Sequence, residues 1–341
     1  MKNRPTMNDV AAEAGVSQAT VSMVLNQSQA GRVSAETSQR VLDAAKKLGF
    51  RTNVHAKVLR EGKSRMIGLI GDEVATTPFA GEMILGAQQE AWRRGHVLLT
   101  VDTAGDSRLE QAAISMMQSY RVAGVIYAAM YHRRLDVPTG LSGIPTVCLN
   151  AQDPAGSVTS VFPDEEAGGR AAARVLLEAG HRDIGMINIG PEGSTLPAAS
   201  GRLKGFIETL DAEGVPFRAE WLRFGTGGYE DGLRGGLELL TLEQRPRAIF
   251  CANDRTALGL YYAAERLGLS VPDDVSVVGF DNQALLTPMF QPALTTFQLP
   301  LAEMGRLAVA EVLNRGSETK RLAVECSPQL RQSVASVKVY S

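Results

Sequence analysis

No run of roughly 18 apolar residues occurs in the sequence, so a membrane-spanning helix is not expected. The opening MKNRPTMNDVAAEAG has no uninterrupted apolar core like that of a secretory signal, and the expected location is the cytoplasm. Cysteine is scarce. Cys148, Cys251 and Cys326 lie far apart in apolar or strand-like surroundings, without metal-ligand spacing, which points to reduced core residues. The four histidines, at 55, 96, 132 and 181, do not cluster. No G-x-G-x-x-G joins a strand to a helix, and neither G-x-x-x-x-G-K-[ST] nor G-x-S-x-G occurs. The chemistry of an enzyme is therefore missing, and no cofactor or metal is expected.

What is present is an ordinary globular composition, 44% apolar and 21% charged, over 341 residues, a length that suits two or three domains. The net charge of −2 hides an asymmetry: residues 1–65 hold eleven Lys/Arg against five Asp/Glu, leaving −8 on the remainder. A basic end on an acidic body suggests that only the front of the molecule meets a polyanion.

That front reads as three helices. Thr6 can cap the first, with Asp9 completing a capping-box-like pair and Val10, Ala11 and Ala14 inward. Gly15 supplies a left-handed turn position, and Ser17 caps a second helix whose buried stripe is Val21, Val24 and Leu25. A third helix runs from Ser34 to about Leu48, with Val41, Ala45 and Leu48 inward and Gly49 as its stop. Two short helices joined by a tight turn have helix-turn-helix geometry. Gln18, Ala19, Ser22 and Met23 lie opposite the buried stripe, where this motif meets base edges in the major groove. Gln18 can pair with adenine, Ala19 and Met23 can touch a thymine methyl, and Thr20 and Ser22 can reach phosphate or base.

The runs TMNDVAAEAGVSQATVSMVLN and VSAETSQRVLDAAKKLGFRTNVHAKVLREGKS resemble the headpiece of the lactose-repressor/galactose-repressor (LacI/GalR) family, and the resemblance extends along essentially the whole chain. It implies that Thr6, Ser17 and Asn26 join the DNA-contacting set. It also implies that Asn53 begins a hinge helix, which includes His55 and Ala56 and orders on DNA, with Leu59 wedged into the minor groove. Met23 departs from the arginine or histidine of many relatives. It cannot donate a hydrogen bond, so the base preference there does not carry over.

From Met66 onward, strand-like runs alternate with amphipathic stretches. The strands read 66–71, 96–102, 124–130, 146–150, 183–189, 248–253 and 275–282; helix-like segments include 81–94, 107–119, 165–179 and 256–267. Alternation of this kind predicts parallel, doubly wound sheets with ligands at the C-terminal strand ends. The expected fold is a small all-α helix-turn-helix headpiece plus an α/β core of two such lobes. The resemblance implies the periplasmic-binding-protein type I arrangement, with three crossings between lobes near 165, 295 and 325. The expected division is a headpiece at 1–52, a hinge at 53–64, an N-terminal lobe of 65–165 and 296–324, and a C-terminal lobe of 166–295 and 325–341.

Polar residues at strand ends are the ligand candidates. Asn150, Asn253 and Asp281 end strands, Arg202 starts a helix, and each offers coplanar groups that match paired sugar hydroxyls. Phe79 suits stacking on a sugar ring. The resemblance carries family ligand positions onto Phe79, Arg202, Asn253 and Asp281, and also onto Asn150, Asp164 and Met130–His132. Relatives often place an aromatic where Gly227 stands, and Tyr229 is the expected substitute. Trp92 and Trp221 read as packing residues.

These observations predict a repressor that binds a palindromic operator as a homodimer and is released by a mono- or disaccharide-like inducer. The runner-up is a purine- or nucleoside-sensing, corepressed regulator of the same family, for which two stacked aromatics are expected. A transport-type binding protein has no use for residues 1–64.

Overall fold

Local chemistry sets the ends of the first three helices, α1 (Met7–Ala14), α2 (Gln18–Leu25) and α3 (Ala35–Leu48). A computed structural model describes residues 5–25, 33–50, 64–77, 80–314 and 318–337 of the chain, which divides into two units, Met1–Ser64 and Arg65–Ser341. In the first unit, the Thr6 N–H donates to Asp9 Oδ2 at 2.7 Å and the Asp9 N–H donates to Thr6 Oγ1 at 3.4 Å, a reciprocal capping box. These bonds hold the Asp9 carboxyl below its ordinary range. Gly15, at φ 64°, ends α1 in the left-handed region, and Ser17 Oγ accepts the Thr20 N–H at 3.1 Å where α2 begins. Ser34 and Gly49 cap α3 in the same two ways. Val10, Val21 and Val41 are fully buried between the helices, closed in by Ala11, Ala14, Ala44 and Ala45. Val24, Leu25 and Leu48 are half-buried and pack on that cluster.

The second unit holds two parallel sheets. The first contains β1 (Met66–Asp72), β2 (Val97–Asp102), β3 (Gly124–Arg134), β4 (Thr146–Gln152), β5 (Thr159–Pro163) and β11 (Arg321–Val324), in the order β11-β5-β4-β3-β1-β2. The second contains β6 (Ile184–Ile189), β7 (Leu222–Gly225), β8 (Ala248–Cys251) and β9 (Ser276–Val278), in the order β7-β6-β8-β9. A short antiparallel ribbon joins β10 (Thr296–Gln298) to β12 (Ser327–Gln329), and bridges from Thr295 to Val278 and from Gln298 to Asp281 lay it along the end of β9. Strands such as Ile184–Ile189 are buried at every residue, as befits sheets covered on both faces. The chain leaves the first sheet after β5, returns through β10, and leaves again after β11 through β12.

The intervening helices are α4 (Gly81–Arg93), α5 (Ser107–Ser119), α6 (Glu165–Glu178), α7 (Pro197–Ala212), α8 (Tyr229–Leu240), α9 (Asp254–Arg266) and α10 (Leu301–Leu313). Three helix pairs touch through reciprocal glycines. A Cβ on Gly86 of α4 would fall 2.0 Å from the Ala302 carbonyl oxygen of α10, and one on Gly305 of α10 would fall 2.2 Å from that of Met83. Gly169 and Gly205 join α6 to α7 in the same way, at 2.1 Å from the Arg202 oxygen and 2.0 Å from the Glu166 oxygen. Gly232 and Gly259 join α8 to α9, at 2.1 Å from the Thr256 oxygen and 2.2 Å from the Tyr229 oxygen. Each contact sets helix backbones against one another with no side chain between them.

All seven expected strands occur, and β5, β7, β10, β11 and β12 add to them. The three cysteines are buried, and burial raises the Cys148 thiol to about 12. Among the described residues no helix is long and apolar enough to cross a membrane. One expectation is corrected. Trp221 is buried and donates its Nε1–H to the Gln244 carbonyl at 2.9 Å, but Trp92 is 75% exposed. Ala87 and Ala91 supply the inward face of α4, which leaves the indole of Trp92 on the outward face beside Leu85, itself 53% exposed.

Candidate DNA-reading helix and effector crevice

In the headpiece, Gln18 and Ala19 are exposed at the first turn of α2, while Thr20, Ser22 and Met23 are half-buried. The hydroxyls of Ser17 and Thr20 lie 2.9 Å apart, and the Thr6 hydroxyl donates to Asp9 at 2.8 Å. Thr6, Ser17 and Thr20 are thus anchored by the helix ends they shape, and Gln18 and Ala19 are presented outward. Asn26, Asn53, His55, Ala56 and Leu59 lie outside the described residues, as does Phe79.

In the second unit the polar candidates form a chain of contacts across the strand ends. Arg321 Nη2 donates to Gln152 Oε1 at 2.6 Å, which turns the Gln152 amide so that its nitrogen donates to His132 Nε2 at 2.9 Å. His132 therefore carries its proton on Nδ1, 3.2 Å from Glu165 Oε1. The imidazole stacks on Phe162 at 5.1 Å between centroids. Glu165, the first residue of α6, receives Arg202 Nε from α7 on its other oxygen at 2.7 Å. Arg202 Nη1 also donates to the Ala252 carbonyl and, at 3.4 Å, approaches Asp281 Oδ1; its guanidinium lies 3.8 Å from the Phe280 ring centroid. The tight α6–α7 contact at Gly169 and Gly205 brings Glu165 and Arg202 together. The sequence reading found Arg202, Asp281 and His132 but missed Glu165 and Gln152. The available signal for Glu165 was its place beside Asp164 at a strand-to-helix junction.

Burial and charge compete at this cluster. Burial works to raise the Glu165 carboxyl, but the Arg202 charge and the His132 bond outweigh it and hold the group below its ordinary value. For Asp281 burial wins over the attraction of Arg202, and its carboxyl lies above the ordinary range. Asp254 is completely buried and accepts the Thr296 hydroxyl at 2.6 Å and the Gln283 N–H at 2.7 Å. Desolvation, reinforced by the Asp281 charge, pushes its carboxyl up to about 7.

The remaining candidates have local partners. Asn150, at φ 52°, donates its amide to the Ala129 and Met130 carbonyls at 3.1 and 2.9 Å, where β3 shifts register against β4. Met130 is buried in the core. Asp164 caps α6 through the Ala167 N–H at 2.9 Å. Asn253 caps α9 through the Thr256 N–H at 2.8 Å and donates to the Gly227 carbonyl at 2.9 Å. A Cβ on Gly227 would lie 2.9 Å from that same Asn253 nitrogen and 3.0 Å from Ile189 Cγ2, so the side chains of Asn253 and Ile189 occupy the space beside it. Tyr229 meets Tyr262 edge to face at 5.6 Å.

Two cavities flank the buried Glu165–Arg202 pair. One, of about 270 Å³, is lined by Thr77, Glu82, Arg255, Asp281, Asn282, Gln283, Ala284, Leu285, Leu286, Gln298, Leu299 and Leu301. The other, of about 310 Å³, includes His132, Gln152, Phe162, Asp164, Glu165, Ser200 and Lys204. Asp281 thus faces one cavity and His132 and Asp164 the other; Met130, Asn150, Arg202, Tyr229 and Asn253 line neither. Among the described residues no group of His, Cys, Asp or Glu has the arrangement of a metal site.

Comparison with known proteins places this geometry. The family described as bacterial regulatory proteins, lacI family, matches residues 6–53, and a periplasmic binding protein-like domain matches residues 173–334. The HTH-type transcriptional repressor PurR of Yersinia pestis bv. Antiqua (strain Antiqua) is 32% identical over 337 residues, covering 97% of each chain. The lac repressor dimer bound to operator and the anti-inducer ONPF superposes with a TM-score of 0.79 at 26% identity, over 98% of this chain and 100% of that one. The complex of the transcriptional regulator CelR with cellobiose has a TM-score of 0.66 at 28% identity, over 97% of this chain and 100% of that one.

Proposed function

Because the chain belongs to the lacI family of bacterial regulatory proteins and is a transcriptional repressor, not an enzyme, we propose that a sugar-like inducer releases it from a pseudo-palindromic operator. The observation that carries the sugar reading is a mixed crevice at the C-terminal strand ends, where polar groups stand among Ala284, Leu285, Leu286, Leu299 and Leu301, as suits the hydroxyl edge and apolar face of a sugar ring. Asp281, Asn282, Gln283 and Gln298 line this cavity of about 270 Å³. Planar amides and carboxylates suit paired hydroxyls, whereas a purine calls for flat partners above and below. Ligand-bound neighbours support the same reading through cellobiose in the CelR complex.

In this proposal residues 1–52 read DNA and 53–64 form the hinge. Residues 65–165 with 296–324, and 166–295 with 325–341, form the lobes that close on the effector. Thr6, Ser17, Gln18, Ala19, Thr20, Ser22, Met23 and Asn26 meet the operator half-site, with Asn53, His55, Ala56 and Leu59 at its centre. Phe79, Met130, His132, Asn150, Asp164, Arg202, Tyr229, Asn253 and Asp281 shape the effector crevice, some through contact and some by holding the strand ends. The protein works in the cytoplasm as a homodimer, and Leu85 and Trp92 on the outward face of α4 offer apolar surface for a second copy.

A purine- or nucleoside-sensing, corepressed regulator is the second reading, favoured by the identity to PurR. Operator binding of the full-length protein, titrated with mono- and disaccharides and with purine bases, separates the two. Release by a saccharide supports the first reading; tighter operator binding with a purine base overturns it in favour of the second.

A further inference from the structure

The cavity beside Asp281 has a polar wall whose groups largely satisfy one another. Asn282 Nδ2 donates to Gln298 Oε1 at 2.6 Å, and Asn282 Oδ1 accepts from Arg331 at 2.8 Å. Gln298 Nε2 donates to the Leu299 carbonyl at 2.9 Å, and Gln283 Nε2 donates to Asp281 Oδ2 at 3.0 Å. Arg255 is different. Among the described lining residues it is the one cation, its Nε is buried without a hydrogen-bond partner, and although its charge reaches Asp281 no ion pair joins it to Asp281 or to Glu82. Its backbone is fixed as the second residue of α9, between the Asn253 cap and the buried Asp254. A partly buried guanidinium with an orphaned donor calls for an acceptor, and a carboxylate or phosphate is its strongest match because charge and fork geometry both fit.

We propose that Arg255 selects an effector carrying an anionic group, so that the ligand is an acidic sugar derivative and not a neutral sugar. The inference rests on the effector reading of this crevice. The acidic group sits on the Arg255 guanidinium. The hydroxyls of the ligand face Asp281 and Thr77, and Glu82, which also lines the cavity, is exposed and screened by water. A carboxylate and a phosphate ester share this chemistry, and paired probes tell them apart.

The test is calorimetric titration of the full-length protein with glucose, gluconate, glucuronate and glucose 6-phosphate, and with galactose, galacturonate and galactose 6-phosphate. Binding is expected for at least one anionic probe and not for its neutral parent. Arg255→Gln should weaken it by about tenfold or more, and Arg255→Lys, which keeps the charge but loses the fork, by less. Ligand-free melting curves of both variants check the fold. Removing an unpartnered buried donor should not lower the melting temperature, and Arg255→Lys provides a second readout if Arg255→Gln does not fold. Three results overturn the inference: binding of neutral probes alone, equal binding of an anionic probe by Arg255→Gln, or no anionic probe bound. If a neutral sugar binds and Arg202→Ala weakens it, the crevice reading stands while the Arg255 inference falls. If an anionic probe loses affinity in Arg255→Gln but binds Arg202→Ala as it binds wild type, the role given to Arg202 falls instead.

Discussion

Replacing Arg202 with alanine removes the partner of a carboxylate that has almost no access to water. Glu165 and Arg202 have side-chain exposures of 4% and 3%, and their contact is 2.7 Å long. Truncation leaves Glu165 with only the His132 Nδ1–H and strips the Phe280 ring of the cation stacked on it. Breaking a buried pair by removing one member costs about 3–5 kcal/mol, because the remaining charge is uncompensated. For a unit of this size that corresponds to a fall of roughly 5–9 °C in melting temperature. The pH dependence should also invert. In the wild type Glu165 is held below its unfolded value, so its contribution is present above the ordinary carboxylate range and is lost as pH falls through the depressed value. In Arg202→Ala burial acts unopposed by that cation, the folded value rises, and the variant should gain stability as pH falls from about 7 to about 5. The assay is a set of ligand-free calorimetric melts across that range on wild type, Arg202→Ala and Glu165→Gln/Arg202→Met. The double variant should recover most of the loss, since it removes both charges. An Arg202→Ala protein that melts within about 1 °C of wild type, or a double variant no more stable than the single, would refute the reasoning.

Met23→Arg should move base preference at one position of each half-site toward guanine, and Met23→Ala should relax it at a cost of roughly 1 kcal/mol; binding-site selection with all three proteins checks this. Asp254, raised to about 7, binds a proton in the folded state that it lacks unfolded, so this group should reduce stability as pH rises from about 4 to about 7. Asp254→Asn should flatten that slope in chemical denaturation series, because the Thr296 hydroxyl can turn to accept from the new amide. Gly205→Ala, whose methyl would meet the Glu166 carbonyl oxygen at 2.0 Å, should destabilise by roughly 1–3 kcal/mol or more and shift Glu165 against Arg202, read as a lower melting temperature.

Features encoded by near neighbours were legible in the sequence. Thr6, Ser17 and Ser34 were readable as caps and Gly15 and Gly49 as stops, because each bond involved spans only a few residues. The helix at 107–119 matched its amphipathic pattern end to end. The strands that escaped notice, β5, β7 and β10 to β12, are three to five residues long and owe their state to pairing with other strands. Glu165 escaped for a related reason. A glutamate at the start of a helix is usually solvated, and only Arg202, 37 residues later, explains its burial. Asn150 looked like a ligand-facing amide, yet its nitrogen is committed to the shifted segment of β3, a demand that only strand pairing reveals. Trp92 was misjudged because size and apolarity do not say which face of a helix is covered.

The three glycine contacts bear on how the second unit can move. Where helix backbones touch directly there is no side-chain layer to shear, so the pairs α4–α10, α6–α7 and α8–α9 each behave as a single stiff slab. Thermal compliance then concentrates where the chain passes between sheets, after β5 and along the β10–β12 ribbon. Because two of those three passages are hydrogen-bonded to each other, they cannot twist independently. Relative motion of the two sheets is thereby channelled toward a single bending coordinate, a mechanical filter that turns a small push at the crevice into displacement along one direction.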